Sequence, residues 1–430
     1  MLLEPLSGFN GRLCLPGDKS LSHRLVLISL LLHGRLHLAN LSDCEDINTS
    51  IRAVEQLGVK ILRTHDGIEL TGPGKIPDIA TSSPTTVDCG NSGTTARLIC
   101  GILASRNGSY RLSGDASLSS RPMARVIAPL AEMGANICSE NGRTLPITIS
   151  KSSGLRAIRF QNRYNSAQVK SAILLAALSA EGITSVIEPF PSRNHTEILL
   201  RSLGVPIHFS EGQTELAGPA DLQGNYRFDI PGDISSAAFL AVTAAIFPGS
   251  CIEIENVLLN SGRTGFLDIL KRMGADIEIT TTPDNNWETR GRLTVKGQRL
   301  RGIHIAAAEV PGLIDELPAL AVAMAFAGSE SSVVGAGELR NKESDRIRVL
   351  TTNLKKAGVV CDEMPDGFRI AGNSSISERV ELDPAGDHRL AMAFTILAAH
   401  SQKGLKLKNP DCVKISFPTF FDIYKHCARK

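Results

Sequence analysis

The sequence predicts a layered α/β (α+β) protein of two domains. Three observations carry that expectation: a helix, glycine turn and strand that recur along the chain, a second and more apolar helix ahead of each copy, and a length of 430 residues. A single hydrophobic core generally stops growing at about 250–300 residues, so a chain of this length divides.

The recurring segment reads IRAVEQLGVKI from Ile51, VIAPLAEMGANI from Val126, EILLRSLGVPI from Glu197, FLDILKRMGADI from Phe266 and TTNLKKAGVVC from Thr351. Each copy is an amphipathic helix running into a glycine (Gly58, Gly134, Gly204, Gly274 or Gly358), as a helix-closing turn requires. A sixth helix is expected over Thr419–His426. The helices ahead of these begin near Ser20, Thr94, Gln168, Ser235, Asp315 and Asp387. Segments such as LVLISLLL, AILLAALSA, AAFLAVTAAI and ALAVAMAFAG are apolar nearly all round and should be buried. Between the two helices of a unit lie a strand, such as RLHLANL or SCIEIENV, and a loop rich in Ser, Asn, Arg and Gly. Six units result, and their alternating helices and strands indicate the layered architecture. Three begin before Ile230 and three after Pro231, which places the hinge near that proline.

Composition narrows the function. Hydrophobic residues make up 42%, charged residues 21% and aromatics 4%, a globular balance without disorder. A net charge of +2 provides no long-range positive field, and no basic run is interleaved with aromatics, so nucleic acid is not an expected partner. The nine cysteines are spread along the chain without a C-x-x-C pair, which suits a reducing compartment and no structural zinc. Met1–Asn10 carries Glu4 and no apolar leader core, and the longest apolar run, Leu25–Leu32, is too short to span a bilayer. A cytoplasmic protein with no membrane segment is expected.

Polar residues collect at the starts of the apolar helices: Lys19, Ser20 and Arg24; Asn91, Gly93 and Arg97; Ser166, Gln168 and Lys170; Asp233 and Ser235; Asp315 and Glu316; Asp387, His388 and Arg389. Helix N-termini present unpaired N–H groups and partial positive charge, which favour phosphate or carboxylate. Capping explains any one such end. Six of them, carrying cations, a histidine and paired acids, point to polyanionic substrates. Nucleotide chemistry lacks its signature, because no G-x-x-x-x-G-K-[ST] occurs and Gly335-Ala-Gly337 lacks the third glycine of a dinucleotide loop. Zinc catalysis lacks H-E-x-x-H or comparable ligand spacing.

Along the chain come LPGDKSLSHR (Leu15–Arg24), GNSGTTARL from Gly90, RPM from Arg121, SAQVKSA from Ser166, LIDELP from Leu313, NKESDRIR from Asn341, GDHRLAM from Gly386 and SFPTFF from Ser416. This ordered set resembles the 5-enolpyruvylshikimate-3-phosphate synthases of the enolpyruvyl transferase family over essentially the whole chain. The resemblance implies an inside-out α/β barrel fold of six βαβαββ units in two domains, 18–230 and 1–17 plus 231–430, with the active site in the inter-domain cleft. It implies transfer of the enolpyruvyl group of phosphoenolpyruvate to the 5-hydroxyl of shikimate 3-phosphate through a tetrahedral ketal. No metal or organic cofactor is implied. Glyphosate is the expected inhibitor and a monomer the expected state.

By the same resemblance, Lys19, Ser20, Arg24, Ser166, Ala167, Gln168, Arg193, Asp315 and Lys342 form the shikimate 3-phosphate site. Lys19, Asn91, Gly93, Arg121, Gln168, Lys342, Glu343, Arg346, His388, Arg389 and Lys414 form the phosphoenolpyruvate site. Asp315 and Glu343 are the proton-transfer carboxylates, with Lys19 and His388 as further catalytic groups. The chain departs from the family pattern in three places. Ala167 stands where one subclass has a second serine, PSRNHTE from Pro191 offers Ser192 or Arg193 to the phosphate, and Lys414 lies two residues ahead of Ser416 rather than directly before the [ST]-F-P segment. A related transferase acting on UDP-N-acetylglucosamine carries a cysteine in the loop before the R-P pair, and GDASLSSRPM has none. A non-catalytic anion-binding relative is opposed by the presence of both Asp315 and Glu343.

Overall fold

The apolar segments and the glycine-closed segments form helices in alternation in a computed structural model, which describes residues 1–73, 84–210, 212–282 and 287–429. In chain order the helices are α1 (Lys19–Ile28), α2 (Glu45–Gln56), α3 (Gly93–Leu103), α4 (Ala116–Ser119), α5 (Ala124–Glu132), α6 (Ala167–Ala177), α7 (His195–Ser202), α8 (Ile234–Ile246), α9 (Gly265–Met273), α10 (Leu317–Ala325), α11 (Arg346–Lys356), α12 (His388–Ala399) and α13 (Phe420–Cys427). Setting aside the single turn of α4, they fall into six pairs. In five of the pairs the second helix is closed by its glycine in a left-handed conformation, with φ of +99° at Gly58, +97° at Gly134, +83° at Gly204, +104° at Gly274 and +91° at Gly358.

The chain divides into two compact units. One takes Gly17–Ile230, and Trp287 and Glu288 cluster with it; the other takes Met1–Pro16 and the remainder from Pro231. No helix among the described residues is long and apolar enough to cross a membrane.

One strand topology recurs in both units. In the first, Thr85–Asp88 pairs in parallel with Ser109–Ser113, which pairs antiparallel with Ile147–Ser150, itself antiparallel to Asn136–Ser139. The parallel step needs a crossover, and α3 supplies it; the antiparallel strands form a hairpin after α5. The same order, Leu222–Asp229, Leu32–Ala39, Gly67–Thr71 and Lys60–Thr64, takes its first strand from the far end of the unit, with Leu222 opposite Leu32 and Asp229 opposite Ala39. The third sheet orders Leu155–Arg156, Ala180–Ile187, Gln213–Gly218 and Ile207–Ser210. In the other unit Gly8–Cys14 plays the corresponding part, pairing in parallel with Cys251–Leu258, which is followed by the hairpin of Asp276–Thr282 and Arg290–Lys296.

The core of each unit is built on the apolar helices. Every residue of α8, α10 and α12 is buried, and most of α1, α3 and α6 likewise. Each Leu or Ile removed from water contributes roughly 1.5–3 kcal/mol, so these helices carry much of the stability. Two of these helices, α3 and α6, approach backbone to backbone, where a Cβ placed on Gly101 would lie 2.1 Å from the carbonyl oxygen of Ala172. The expected start near Asp315 shifts by two residues: α10 begins at Leu317 with Glu316 in the capping position, and Pro318 occupies its first turn, where a missing N–H is not needed.

Candidate active site

In the unit Gly17–Ile230 the candidate residues stand at the heads of α1, α3 and α6. Asp18 caps α1 by accepting from the Leu21 amide at 2.9 Å. Lys19 follows, and its Nζ donates to Asp46 Oδ2 at 2.9 Å, in the first turn of α2. Ser20 is half-buried, and its carbonyl accepts from Arg24 Nη1 at 2.9 Å. Arg24 also donates from Nε to Thr196 Oγ1 at 2.8 Å and from Nη2 to Ser171 Oγ at 3.0 Å. Its guanidinium plane is therefore set by α6 and α7 before any ligand arrives.

Two guanidinium groups meet at the head of α3. A Cβ built on Gly93 would stand 2.5 Å from Arg97 Nη1 and 3.5 Å from Arg121 Nη1, so only hydrogen leaves this helix start open. Arg121 donates to Asn91 Oδ1 at 2.9 Å and to Ser117 Oγ at 3.2 Å. Arg97 donates to Gln168 Oε1 at 2.9 Å, while Gln168 Nε2 donates to Thr94 Oγ1 at 2.9 Å. Asn91, Gly93, Arg121 and Gln168 are thus gathered at one place, together with Arg97. Ser166 precedes α6 without a side-chain capping bond, and Ala167 is the first residue of that helix. Arg193 lies half-buried in the loop ahead of α7.

In the other unit Asp315, Lys342, Glu343, Arg346 and Arg389 form one ionic cluster. Arg346, 1% exposed, donates from Nε to Asp387 Oδ2 at 2.7 Å and from Nη2 to Glu343 Oε2 at 2.5 Å. Burial disfavours its charge, but Asp387, Glu343 and Asp315 together outweigh that and hold its pKa above the ordinary arginine value. Asp315 Oδ1 lies 3.4 Å from Lys342 Nζ and 3.5 Å from Arg346 Nη1. Arg389 donates from Nη1 to the Asp315 carbonyl at 2.8 Å. Asp387 caps α12 by accepting from the Arg389 amide at 2.9 Å, and His388, the first residue of that helix, is buried. Lys414 pairs instead with Asp411 at 2.7 Å, both side chains largely exposed.

The profile of EPSP synthase (3-phosphoshikimate 1-carboxyvinyltransferase) matches residues 3–424. The chain belongs to this family. A 3-phosphoshikimate 1-carboxyvinyltransferase of Thermotoga neapolitana is 42% identical over 424 residues, covering 98% of this chain and 98% of that protein. One from Leuconostoc citreum is 41% identical, with 98% of each covered. The crystal structure of EPSP synthase from Acinetobacter baumannii superposes with a TM-score of 0.86 at 37% identity, covering 99% of this chain and 97% of the other. The mixed α/β fold in two units is the fold of this family.

Several residues around the family's positions carry no assignment from sequence. Asp46 meets Lys19, Thr196 and Ser171 hold Arg24, and Arg97 clasps Gln168. Buried Arg263 donates to Ser235 Oγ at 2.6 Å, and Ser235 in turn donates to Glu316, whose Oε1 lies 3.7 Å from Arg389 Nη1. The position of Arg97 at a helix head signals its role, whereas Asp46, one of three acids in Asp43–Asp46, and the lone charge of Arg263 leave no mark that singles them out.

Proposed function

We infer that this chain transfers the enolpyruvyl group of phosphoenolpyruvate to the 5-hydroxyl of shikimate 3-phosphate, giving 5-enolpyruvylshikimate 3-phosphate and phosphate. Family membership along the chain supports the reaction. The single observation that carries the roles is the cluster in which Asp315 and Glu343 both reach Arg346.

Both substrates are anions, and like charges about 4 Å apart repel by roughly 4 kcal/mol at an effective dielectric near 20. Lys19, Arg24, Arg121, Lys342, Arg346 and Arg389 offset that repulsion. Shikimate 3-phosphate is assigned to Lys19, Ser20, Arg24, Ser166, Ala167, Gln168, Arg193, Asp315 and Lys342. Arg24, already oriented, takes its carboxylate, while the Ser166 hydroxyl and Arg193 take its phosphate. Phosphoenolpyruvate is assigned to Lys19, Asn91, Gly93, Arg121, Gln168, Lys342, Glu343, Arg346, His388 and Arg389. Lys414 joins this set by resemblance alone, since its ammonium is paired at the surface with Asp411.

In the addition step the 5-hydroxyl oxygen bonds to C2 of phosphoenolpyruvate. Its proton passes to Asp315, and Glu343, which enters the step as the carboxylic acid, gives its proton to C3, forming the tetrahedral ketal. In the elimination C3 returns its proton to Glu343, the C–O bond to phosphate breaks, and phosphate leaves with the proton held by Asp315. Lys19 and Lys342 neutralise charge between the substrates, and His388 donates a hydrogen bond.

Glyphosate, with a carboxylate and a phosphonate at the ends of a short chain, competes for the phosphoenolpyruvate positions. The two compact units correspond to two domains of three βαβαββ units each, in a monomer that works in the cytoplasm. Phosphate release from phosphoenolpyruvate, followed with and without shikimate 3-phosphate, tests the function. Release that ignores shikimate 3-phosphate, or that fails with both substrates present, would refute it.

A further inference from the structure

Lys170 lies one turn into α6 and has no place among the substrate contacts, yet it is 3% exposed. Its Nζ donates to Glu188 Oε2 at 2.7 Å, lies 2.7 Å from Glu197 Oε1 and reaches the Ser192 carbonyl at 3.3 Å. Three acceptors match the three protons of an ammonium group. Burial works against that charge, but the two carboxylates outweigh it, so the Lys170 pKa lies above the ordinary lysine value.

Each acid ties down a different segment. Glu188, after the strand Ala180–Ile187, accepts from Asn162 Nδ2 at 2.8 Å, the Ser192 amide at 3.0 Å and Ser192 Oγ at 2.7 Å. Asn162 donates as well to the Ser166 carbonyl at 3.0 Å. Glu197 stands in the first turn of α7. Next to Lys170 and Glu197 on the same two helices are Ser171 and Thr196, whose hydroxyls lie 2.6 Å apart and both accept from Arg24. One ionic layer therefore underlies the layer that orients Arg24. Removing one partner from a buried charge cluster leaves the others uncompensated, unlike the loss of a surface pair.

We propose that Lys170 is a positioning residue for shikimate 3-phosphate, joining the start of α6, the Ser192–Arg193 loop and α7 into one frame that presents Ser166, Arg193 and Arg24. The proposal rests on the assignment of those three residues to that substrate. Arg121, assigned to phosphoenolpyruvate alone, is held away from α6 by Asn91 and Ser117, so that side has its own anchor.

The test measures shikimate 3-phosphate binding by titration calorimetry, and the phosphoenolpyruvate KM at saturating shikimate 3-phosphate. The proteins compared are the parent, Lys170→Met, Lys170→Arg, Glu188→Gln and Arg193→Ala. Lys170→Met should weaken shikimate 3-phosphate about tenfold or more, with the phosphoenolpyruvate KM held within about twofold. Lys170→Arg, which keeps the charge and donors, should recover part of the loss. A role in folding alone would lower the melting temperature and leave the affinity of the folded protein unchanged. Glu188→Gln keeps Lys170 and Glu197 as a balanced pair while loosening Ser192. It should weaken the same ligand, and it decides the matter if Lys170→Met does not fold. Unchanged affinity in Lys170→Met or, failing that, in Glu188→Gln, or an equal rise of both constants, overturns the proposal. Unchanged affinity in Arg193→Ala instead overturns the site assignment beneath it.

Discussion

Asp315→Asn separates proton transfer from charge placement, because it removes a carboxylate with almost no change of shape. Its oxygens lie 3.4 Å from Lys342 Nζ, 3.5 Å from Arg346 Nη1 and 3.9 Å from Arg389 Nη2. At an effective dielectric near 20 each such contact is worth roughly 4–5 kcal/mol before solvent screening. The side chains are 14% exposed for Asp315 and 27% for Lys342, so the net value is smaller. With the carboxylate gone, three cations lose a counter-charge and the cluster becomes more positive by one. Its attraction for phosphoenolpyruvate should hold or increase. The backbone anchor from Arg389 to the Asp315 carbonyl, at 2.8 Å, is untouched. Proton transfer, the duty proposed for Asp315, should by contrast be lost, at a cost of roughly 10²–10⁴ in rate, about 3–5 kcal/mol of barrier. The assay pairs steady-state phosphate release with a direct titration of phosphoenolpyruvate in the presence of shikimate 3-phosphate. The expected result is a kcat lowered about a hundredfold or more, with phosphoenolpyruvate bound as tightly as before or more tightly. A kcat within about threefold of the parent removes Asp315 from the chemistry. Affinity falling in step with kcat would mean that Asp315 acts by arranging the cations.

Glu343→Gln, beside Arg346 at 2.5 Å, should abolish entry of solvent deuterium into the methylene of phosphoenolpyruvate, seen by mass spectrometry; exchange at the parent rate would rule it out as the donor. Gly93→Ala places a methyl where Arg97 Nη1 would be 2.5 Å away, so that guanidinium must yield, while Arg121 Nη1 at 3.5 Å is left in van der Waals contact. The inhibition constant of glyphosate, the longer molecule, should rise more than the phosphoenolpyruvate KM, and an equal rise would clear Gly93 of discriminating between them. Burial foremost, then Lys19 and Arg24, holds the pKa of His23 well below the usual histidine value. The folded protein keeps it neutral while the unfolded chain binds a proton. Its contribution is therefore whole above about pH 6.5 and declines by about 1.4 kcal/mol per unit below that, until the folded pKa is reached. Urea unfolding at about pH 7.5 and 5.5 should show less acid sensitivity in His23→Gln than in the parent, and equal sensitivity would refute the assignment.

The helix pairs are legible in the sequence because each is a local pattern. Continuous apolar runs mark α1, α6, α8 and α10, and a glycine after an amphipathic stretch marks the end of each partner. Residues that can hold an anion are legible as well, because they sit at helix heads and in short motifs. What those residues lean on is not. Asp46 is 27 residues from Lys19, Asp387 is 41 from Arg346, and Thr196 is 172 from Arg24. Such pairings depend on how elements pack, and the periodicity of one element carries no information about another. The start of α10 shows the same limit on a small scale: an acid pair followed by Leu-Pro reads as a helix head, and only the backbone separates Asp315, ahead of the helix, from Glu316 at its cap.

The contact at Gly101 has a consequence for how this enzyme can change. Because the backbones of α3 and α6 touch there, no side chain lies between them to take up a small displacement by repacking. One helix carries Gly93 and Arg97 and the other Gln168, so a rigid-body shift of either helix is met by its neighbour's backbone rather than by a yielding side chain. Gly93 and Gln168, both proposed for phosphoenolpyruvate, are therefore expected to be tuned together. Substitutions at Gly93 are expected to register at Gln168, and compensating changes are most useful along this helix pair, even where they touch no ligand.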